Sequence, residues 1–471
     1  MSQIHELEAL QLAGAVADGQ LTAVEACVAG LERAEQVGPS VGAFVYLAHE
    51  HALREAALLD ADPSRAAGQV LRGVPCPVKD LSMVKGLPFE AGSVTMAGHV
   101  APVDDGTTQL LRAAGTVMVG KTSTPEFGLP CYTEPEGQEP ARTPWDLRRS
   151  AGGSSGGAAA AVAAGIVPIA HGSDGGGSIR IPASVCGLVG LKPSRGRISP
   201  GPHGTDGVAL ATQGVLTRTV RDTAAGLDVL RAHWPGDGYL LPDPRDGYLA
   251  RVDQPPQPLR VGLLLEPSNV STVVDPACVR AAEGAARLLE DLGHHVEVAP
   301  PPYAPQRWEA FIDLWSVMAL QALVAEEDEH RLRPLTRWLR GMGREVTGVR
   351  HARAITAAQT LARDTAGAWE GCDVVLSPTL AQPPALVGQL RNDDDPETDF
   401  WDQTRFTPWT STANLTGRPS ISLPLHREVV DGVELPIGVM LTGQLGQDET
   451  LLRLARQLEL AAPWPPTPAS S

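Results

Sequence analysis

Nine glycines fall within the 31 residues 150–180, eight of them gathered into two runs, and this cluster constrains the chain more than any other feature. The first run is Gly152-Gly153-Ser154-Ser155-Gly156-Gly157, followed by an alanine-rich segment. The second is Gly172-Ser173-Asp174-Gly175-Gly176-Gly177-Ser178-Ile179-Arg180. Each glycine costs backbone entropy on folding, so such runs demand a reason. Linkers are not usually embedded in flanks rich in Ala, Val and Ile. What glycine does well is let backbone N–H groups converge on a small anion or oxyanion with no side chain in the way. The second run therefore reads as an oxyanion cradle ending in Ser178, a candidate nucleophile.

The elements around the cluster point to an α/β chain. Thr22 with Glu25 three residues later fits a capping box, and Val24, Cys27, Val28 and Leu31 follow at helical spacing, so the first forty residues read as helical. Segments 106–115 and 219–233 read as further helices, with 116–120 as a short buried strand. A loop-rich bridge spans 233–258. Beyond it, strand 259–265, helix 275–292 and strand 295–298 form a βαβ-like unit. Strands at 373–377, 420–425 and 437–441 and a helix at 448–461 complete the pattern. Such alternation favours a mixed or parallel sheet covered by helices. The acidic cluster Asp393-Asp394-Asp395 reads as a solvated loop.

Composition narrows the function. With 38 basic and 55 acidic side chains the net charge is −17, which argues against a nucleic-acid partner. The six cysteines are far apart and form no C-x-x-C pair, as expected of scattered reduced thiols. Met1 to Leu10 carries acidic residues and shows no signal peptide, and the longest apolar run, 158–170, is too short to cross a bilayer. A cytoplasmic location is the expectation. Among the twelve histidines there is no H-E-x-x-H, and the close pairs His49/His51 and His294/His295 read as surface residues, so no metal site is expected.

Competing motifs fit poorly. Neither glycine run has the lysine of a phosphate-binding P-loop. Gly152 to Gly156 matches G-x-S-x-G, but the nucleophile elbow needs a buried strand before it, and 144–149 is charged and begins with proline. Ser82-Met83-Val84-Lys85 matches S-x-x-K, without the companion K-T-G or S-D-N. If Ser178 attacks a carbonyl it needs a base. His171 lies seven residues upstream and is one option, although a satisfied buried or loop histidine is the plainer reading. A lysine works too if burial depresses its pKa. Lys79 sits in the apolar, proline-stiffened segment Pro75-Cys76-Pro77-Val78-Lys79-Asp80-Leu81.

Pro-Val-Lys-Asp at 77–80, the serine-bearing run at 152–157 and Gly-Ser-Asp-Gly-Gly-Gly-Ser-Ile-Arg-Ile-Pro-Ala at 172–183 together resemble the amidase signature family, with 75 residues from Lys79 to Ser154 and 24 from Ser154 to Ser178. Similar text at 120–127, 187–193, 414–419 and 435–439 extends the resemblance over most of the chain. Thr133-Glu134-Pro135-Glu136, Ala170-His171-Gly172 and the segment after Pro193 look most like the branch containing 6-aminohexanoate cyclic dimer hydrolase.

The resemblance implies one α/β domain over 1–471, with its signature core at about 70–200 and a central mixed, twisted sheet covered by helices on both faces. It implies amide hydrolysis without a cofactor, by a Ser-cisSer-Lys triad. Ser178 would be the nucleophile, Ser154 the bridging residue after a cis Gly153–Ser154 bond, and Lys79 the base. The N–H groups of Gly175, Gly176, Gly177 and Ser178 would form the oxyanion hole. Ser155 is a candidate to orient Lys79, with a turn-forming role as the alternative, and Asp174 with Arg180 would buttress the glycine turn by an ion pair. The substrate would be a small carboxylic amide, with cyclic amides and aryl carbamates as alternatives. A glutaminase-type subunit, which usually has glutamine where this chain has Ile181, and a non-catalytic binding protein are the remaining readings. Segments 125–135, 315–320 and 400–409 are candidate pocket walls, with core packing as the equal alternative for each. No membrane partner is expected, and assembly, including a homodimer, is left open.

Overall fold

The computed structural model describes residues 4–62, 64, 68–205 and 207–465; residues 1–3 of the expected helical opening lie outside that range. The capping box forms: Thr22 Oγ accepts from Glu25 N–H at 3.0 Å and Glu25 Oε2 accepts from Thr22 N–H at 2.8 Å, starting the helix Ala23–Val41. Gly42, at φ 58°, ends it in the left-handed region where glycine carries no steric penalty.

The described strands make two sheets. The small one contains β1 (Phe44–Leu47), β2 (Val78–Lys79) and β3 (Gly120–Thr122), in the order β1-β3-β2. The large one contains β4 (Ile169–Asp174), β5 (Val189–Lys192), β6 (Thr212–Thr217), β7 (Arg260–Leu263), β8 (His295–Val298), β9 (Val374–Pro378), β10 (Ser420–Val430) and β11 (Val433–Gly443). Its order is β4-β6-β5-β10-β11-β9-β7-β8, with β9, β7 and β8 parallel and the other pairings antiparallel. The expected mixed sheet is therefore present. So is the βαβ unit, in which β7 and β8 pair in parallel around the helix Pro276–Asp291.

Strand periodicity explains the helices on both faces. Ile169, Val215, Leu376, Val439 and Leu441 enter one core, with the helices Val220–Leu230, Pro276–Asp291 and Asp448–Ala461. Their neighbours Ala170 and Leu216 face the opposite way, against Ala158–Ala164 and the helix Arg180–Cys186. A third, aromatic cluster gathers Trp308, Phe311, Trp315 and Phe400 beside the glycine turn.

Three local expectations change. The strand expected at 116–120 forms at 120–122, and Val117 makes only a single bridge to Pro75. β10 and β11 are a long hairpin rather than two short strands, turning at Asp431 (φ 50°) and Gly432 (φ 79°). Their outer halves carry Arg427, Glu428 and Glu434, which masks the pattern in the sequence. The acidic cluster is not simply solvated: Asp393 pairs with Arg333 and Arg391, and Asp395 caps the helix Pro396–Phe406.

β4 lies at one edge of the large sheet, and the small sheet meets it there: His171 N–H donates to Pro77 O at 3.1 Å. That contact brings β2, and with it Lys79, against β4. Among the described residues no helix is long and apolar enough to cross a membrane.

Candidate active site

Lys79 is the second residue of β2 and is fully buried. Its Nζ lies 2.8 Å from Ser154 Oγ, 2.9 Å from Ser155 Oγ, 3.0 Å from Ser173 Oγ and 3.4 Å from Ser173 O. No carboxylate lies within ion-pair distance of Nζ among the described residues. Burial penalises its charged form and brings the pKa down to about 7, with the Asp174 charge opposing. Lys192 is also pulled to about 7, by burial and then by Arg180, yet its Nζ donates to Pro193 O. Geometry, and not basicity alone, separates the two lysines.

Ser154 and Ser155 stand at the start of the helix Gly156–Ala163, and the Gly153–Ser154 peptide is cis. This run has its glycines for close packing. A Cβ on Gly157 would fall 2.4 Å from Ser123 N, so the helix can rest on that segment only with hydrogen there. Thr124 Oγ1 donates to Ser154 O at 3.0 Å and fixes the bridging residue from below.

Ser178 closes the second run, lining the pocket and 7% exposed. Ser155 N–H donates to Ser178 O at 3.2 Å, joining the two serine segments. Among the described residues no hydrogen bond links Ser154 Oγ to Ser178 Oγ. The structure thus brings Lys79, Ser154 and Ser155 into direct contact and Ser178 beside them through the main chain.

Beneath the turn, Arg180 Nε and Nη2 hold Asp174 Oδ2 and Oδ1 at 2.9 and 2.8 Å, both side chains being fully buried. Burial alone would raise the Asp174 pKa; the Arg180 charge, with Asn414, outweighs it and holds the carboxyl well below the usual range. The same carboxylate accepts from Gly177 N–H at 2.9 Å and Ile179 N–H at 3.2 Å. Gly177 therefore differs from its expected role, because its N–H is already committed to Asp174. No acceptor among the described residues takes the N–H of Gly175, Gly176 or Ser178.

Several residues that shape the site were missed in the sequence. Asn414 bridges Arg180, Asp174 and Leu210, and Thr410 Oγ1 donates to Gly176 O at 2.7 Å. Both come from the helix Thr410–Thr416, more than 200 residues away; Asn414 opens the family-like stretch 414–419, but nothing local in the sequence shows that it reaches the glycine turn. Ser173 was readable, since it lies one residue from Asp174 on a strand whose alternation turns it toward Lys79.

The pocket over Ser178 is bounded by Leu129, Pro130 and Cys131, by Trp308, Phe311 and Trp315, and by Phe400, Gln403 and Thr404. All three expected wall segments contribute. Trp308 stacks on Phe311 at 5.0 Å and Phe311 on Trp315 at 5.1 Å, making an aromatic rail that runs up to the glycine turn. The 129–132 wall is tied down by Tyr132 OH donating to Asp399 Oδ2 and Cys131 N–H donating to Gln403 Oε1. Among the described residues no charged side chain lines this pocket.

The remaining sequence candidates lie elsewhere. Lys85, of the S-x-x-K match, is exposed. His51 pairs with Glu55, whereas His294 is buried, contrary to expectation. Its Nδ1 accepts from Leu259 N–H, and its Nε2 contacts Gln457 Oε1. Among the described residues no group of three or more His, Cys, Asp or Glu side chains could hold a metal.

Residues 25–452 match the model of the amidase family. The chain belongs to that family. It is 36% identical to the 6-aminohexanoate-cyclic-dimer hydrolase of Paenarthrobacter ureafaciens, over 95% of this chain and 93% of that one. A structure of 6-aminohexanoate cyclic dimer hydrolase complexed with substrate superposes with a TM-score of 0.90 at 34% identity, covering 98% of both chains. A bacterial aryl acylamidase of the amidase signature family follows at 0.87 and 27%, over 98% of this chain and 97% of that one. This amidase is accordingly a hydrolase of amide C–N bonds.

Proposed function

We propose that Ser178 is the nucleophile of this amidase and that Lys79, through Ser154, is its base. The observation that carries the reading is the buried Lys79 Nζ among three hydroxyls and a carbonyl, with no carboxylate to keep it charged. A neutral amine accepts the proton of Ser154 as Ser154 takes that of Ser178. Ser178 Oγ turns toward Ser154 to do so, a contact that commonly tightens only when substrate is bound. Attack on the amide carbon gives a tetrahedral oxyanion, which the free N–H groups of the glycine turn stabilise. The relay then returns a proton to the departing amine. Water hydrolyses the acyl-enzyme by the same route, regenerating Ser178.

The substrate is an amide whose acyl part is uncharged and apolar. A carboxylate or ammonium entering a pocket lined by Leu129, Phe311 and Trp315 would lose hydration without a counter-charge. The likeness to cyclic-dimer and aryl acyl hydrolases favours cyclic or aryl amides. A panel of short aliphatic, aryl, cyclic and carbamate substrates, assayed for ammonia or for the newly formed amino group, tests this. Turnover of neutral aryl or cyclic amides, abolished by Ser178→Ala, is the expected outcome. Failure on the whole panel, with no labelling of Ser178 by a sulfonyl fluoride, would overturn the enzymatic reading in favour of a binding protein.

A further inference from the structure

β4 grips Lys79 at both ends of the residue. Ser173 and His171 are two apart on β4 and share a face of the strand. Ser173 Oγ meets the side-chain Nζ, and His171 Nδ1 accepts the Lys79 main-chain N–H at 3.3 Å. His171 also donates its own main-chain N–H to Pro77 O. In a regular parallel ladder the residue that donates to Pro77 O would accept from Lys79 N–H through its carbonyl. Here the imidazole takes that place.

Because Nδ1 accepts, the ring proton sits on Nε2, which lies 3.0 Å from Gln213 Oε1 on β6. Gln213 pairs directly with Ser173 across the ladder, so it is on the same face. The ring is fully buried, and burial holds its pKa down to about 4, the Asp105 charge and the Gln213 hydrogen bond opposing and Lys79 and Lys121 adding to the effect. The other charges near this pair are Asp174, at the end of β4, and Asp80, which is bound to Lys121. A protonated ring would turn Nδ1 into a donor facing the Lys79 N–H.

We propose that His171 is a positioning residue for the reaction: its neutral Nε2–H form, set by Gln213, holds the Lys79 main chain where Nζ reaches Ser154. The inference rests on Lys79 being the base.

His171→Leu removes the acceptor, whereas His171→Asn keeps an oxygen where Nδ1 stands. On the best amide of the panel, His171→Leu should lower kcat by about tenfold or more, as small misplacements of a catalytic group do, with KM little changed. The acid limb of its kcat/KM profile should move to higher pH, because a lysine no longer pinned at its amide admits water to its ammonium. His171→Asn should recover most of both losses. Gln213→Leu, which releases the tautomer, should shift both quantities the same way by less. Wild-type kcat and midpoint in a folded His171→Leu, or an Asn variant as slow as the Leu variant, would overturn the proposal. If His171→Leu does not fold, unchanged kinetics in Gln213→Leu would do so. Lys79→Ala is measured alongside: an active Lys79→Ala sinks the base assignment itself, while an inactive one beside unchanged His171 variants sinks only this inference.

Discussion

Lys79 Nζ and Ser154 Oγ lie 2.8 Å apart in a site where both side chains are buried, 75 residues apart in sequence and on different elements. An amine held this way, without a carboxylate partner, is shifted toward its neutral form, its pKa brought down to about 7.

Replacing Ser178 by alanine should lower kcat by roughly 10⁴-fold or more, because the covalent route is lost while binding remains. Circular dichroism and thermal melting should match the parent. A sulfonyl fluoride should label Ser178 and not Ser154, as peptide mass mapping would show. Retained turnover would remove Ser178 from its role.

With chemistry limiting, kcat/KM should rise with pH and level off above about 7. The sign follows from the base being the deprotonated amine: below its pKa Lys79 carries the proton it must accept. Lys79→Ala should cost roughly 10²–10⁴-fold. Lys192→Met, at the other lysine near 7, should leave the midpoint in place. A profile flat across neutrality would contradict the assignment.

Asp174→Asn should both destabilise the fold and slow the reaction. It leaves Arg180 buried without its counter-charge, a change that costs roughly 3–5 kcal/mol in comparable buried pairs. The carboxylate also anchors Gly177 and Ile179, so the turn loosens with it. Denaturant titration and kcat would report the two effects; parent-like values for both would refute the buttress.

Gly177→Ala should fail for two reasons at once. The residue sits at φ +137°, and a Cβ there would come within 2.6 Å of Thr410 Oγ1 and of an Ile181 methyl. Strain and overpacking of this kind cost roughly 1–3 kcal/mol each. Activity should fall further than stability, since the displaced atoms carry the oxyanion donors. Equal activity in the variant would show that the turn tolerates a shift there.

Trp315→Ala should separate substrates. Trp315 ends the stacked rail and touches the glycine turn, so aryl amides should lose affinity while short aliphatic amides change little. Similar KM changes for both classes would place the aryl group elsewhere.

Much of this architecture is legible in the linear chain because the signals are local. A capping box at Thr22 and Glu25, a βαβ unit at 260–298 and the glycine runs each need only neighbours in sequence to be read. The hairpin of β10 and β11 was not legible, because its outer strands carry exposed charges in place of an apolar alternation. The surface reading of His294 failed because its hydrogen bonds to Leu259 and Gln457 are made by tertiary neighbours.

By itself the sequence determined which chemistry the chain carries: a lysine in a stiff apolar segment, paired serines in glycine and a serine closing a second glycine run. The tertiary structure decided which groups meet. It placed Ser173 on the lysine, turned Gly177 N–H onto Asp174, brought Asn414 and Thr410 under the turn, and raised the aromatic rail over Ser178. Hydrogen bonds and desolvation act over a few ångströms of space whatever the separation along the chain, so only the packed fold decides which partners come within that reach.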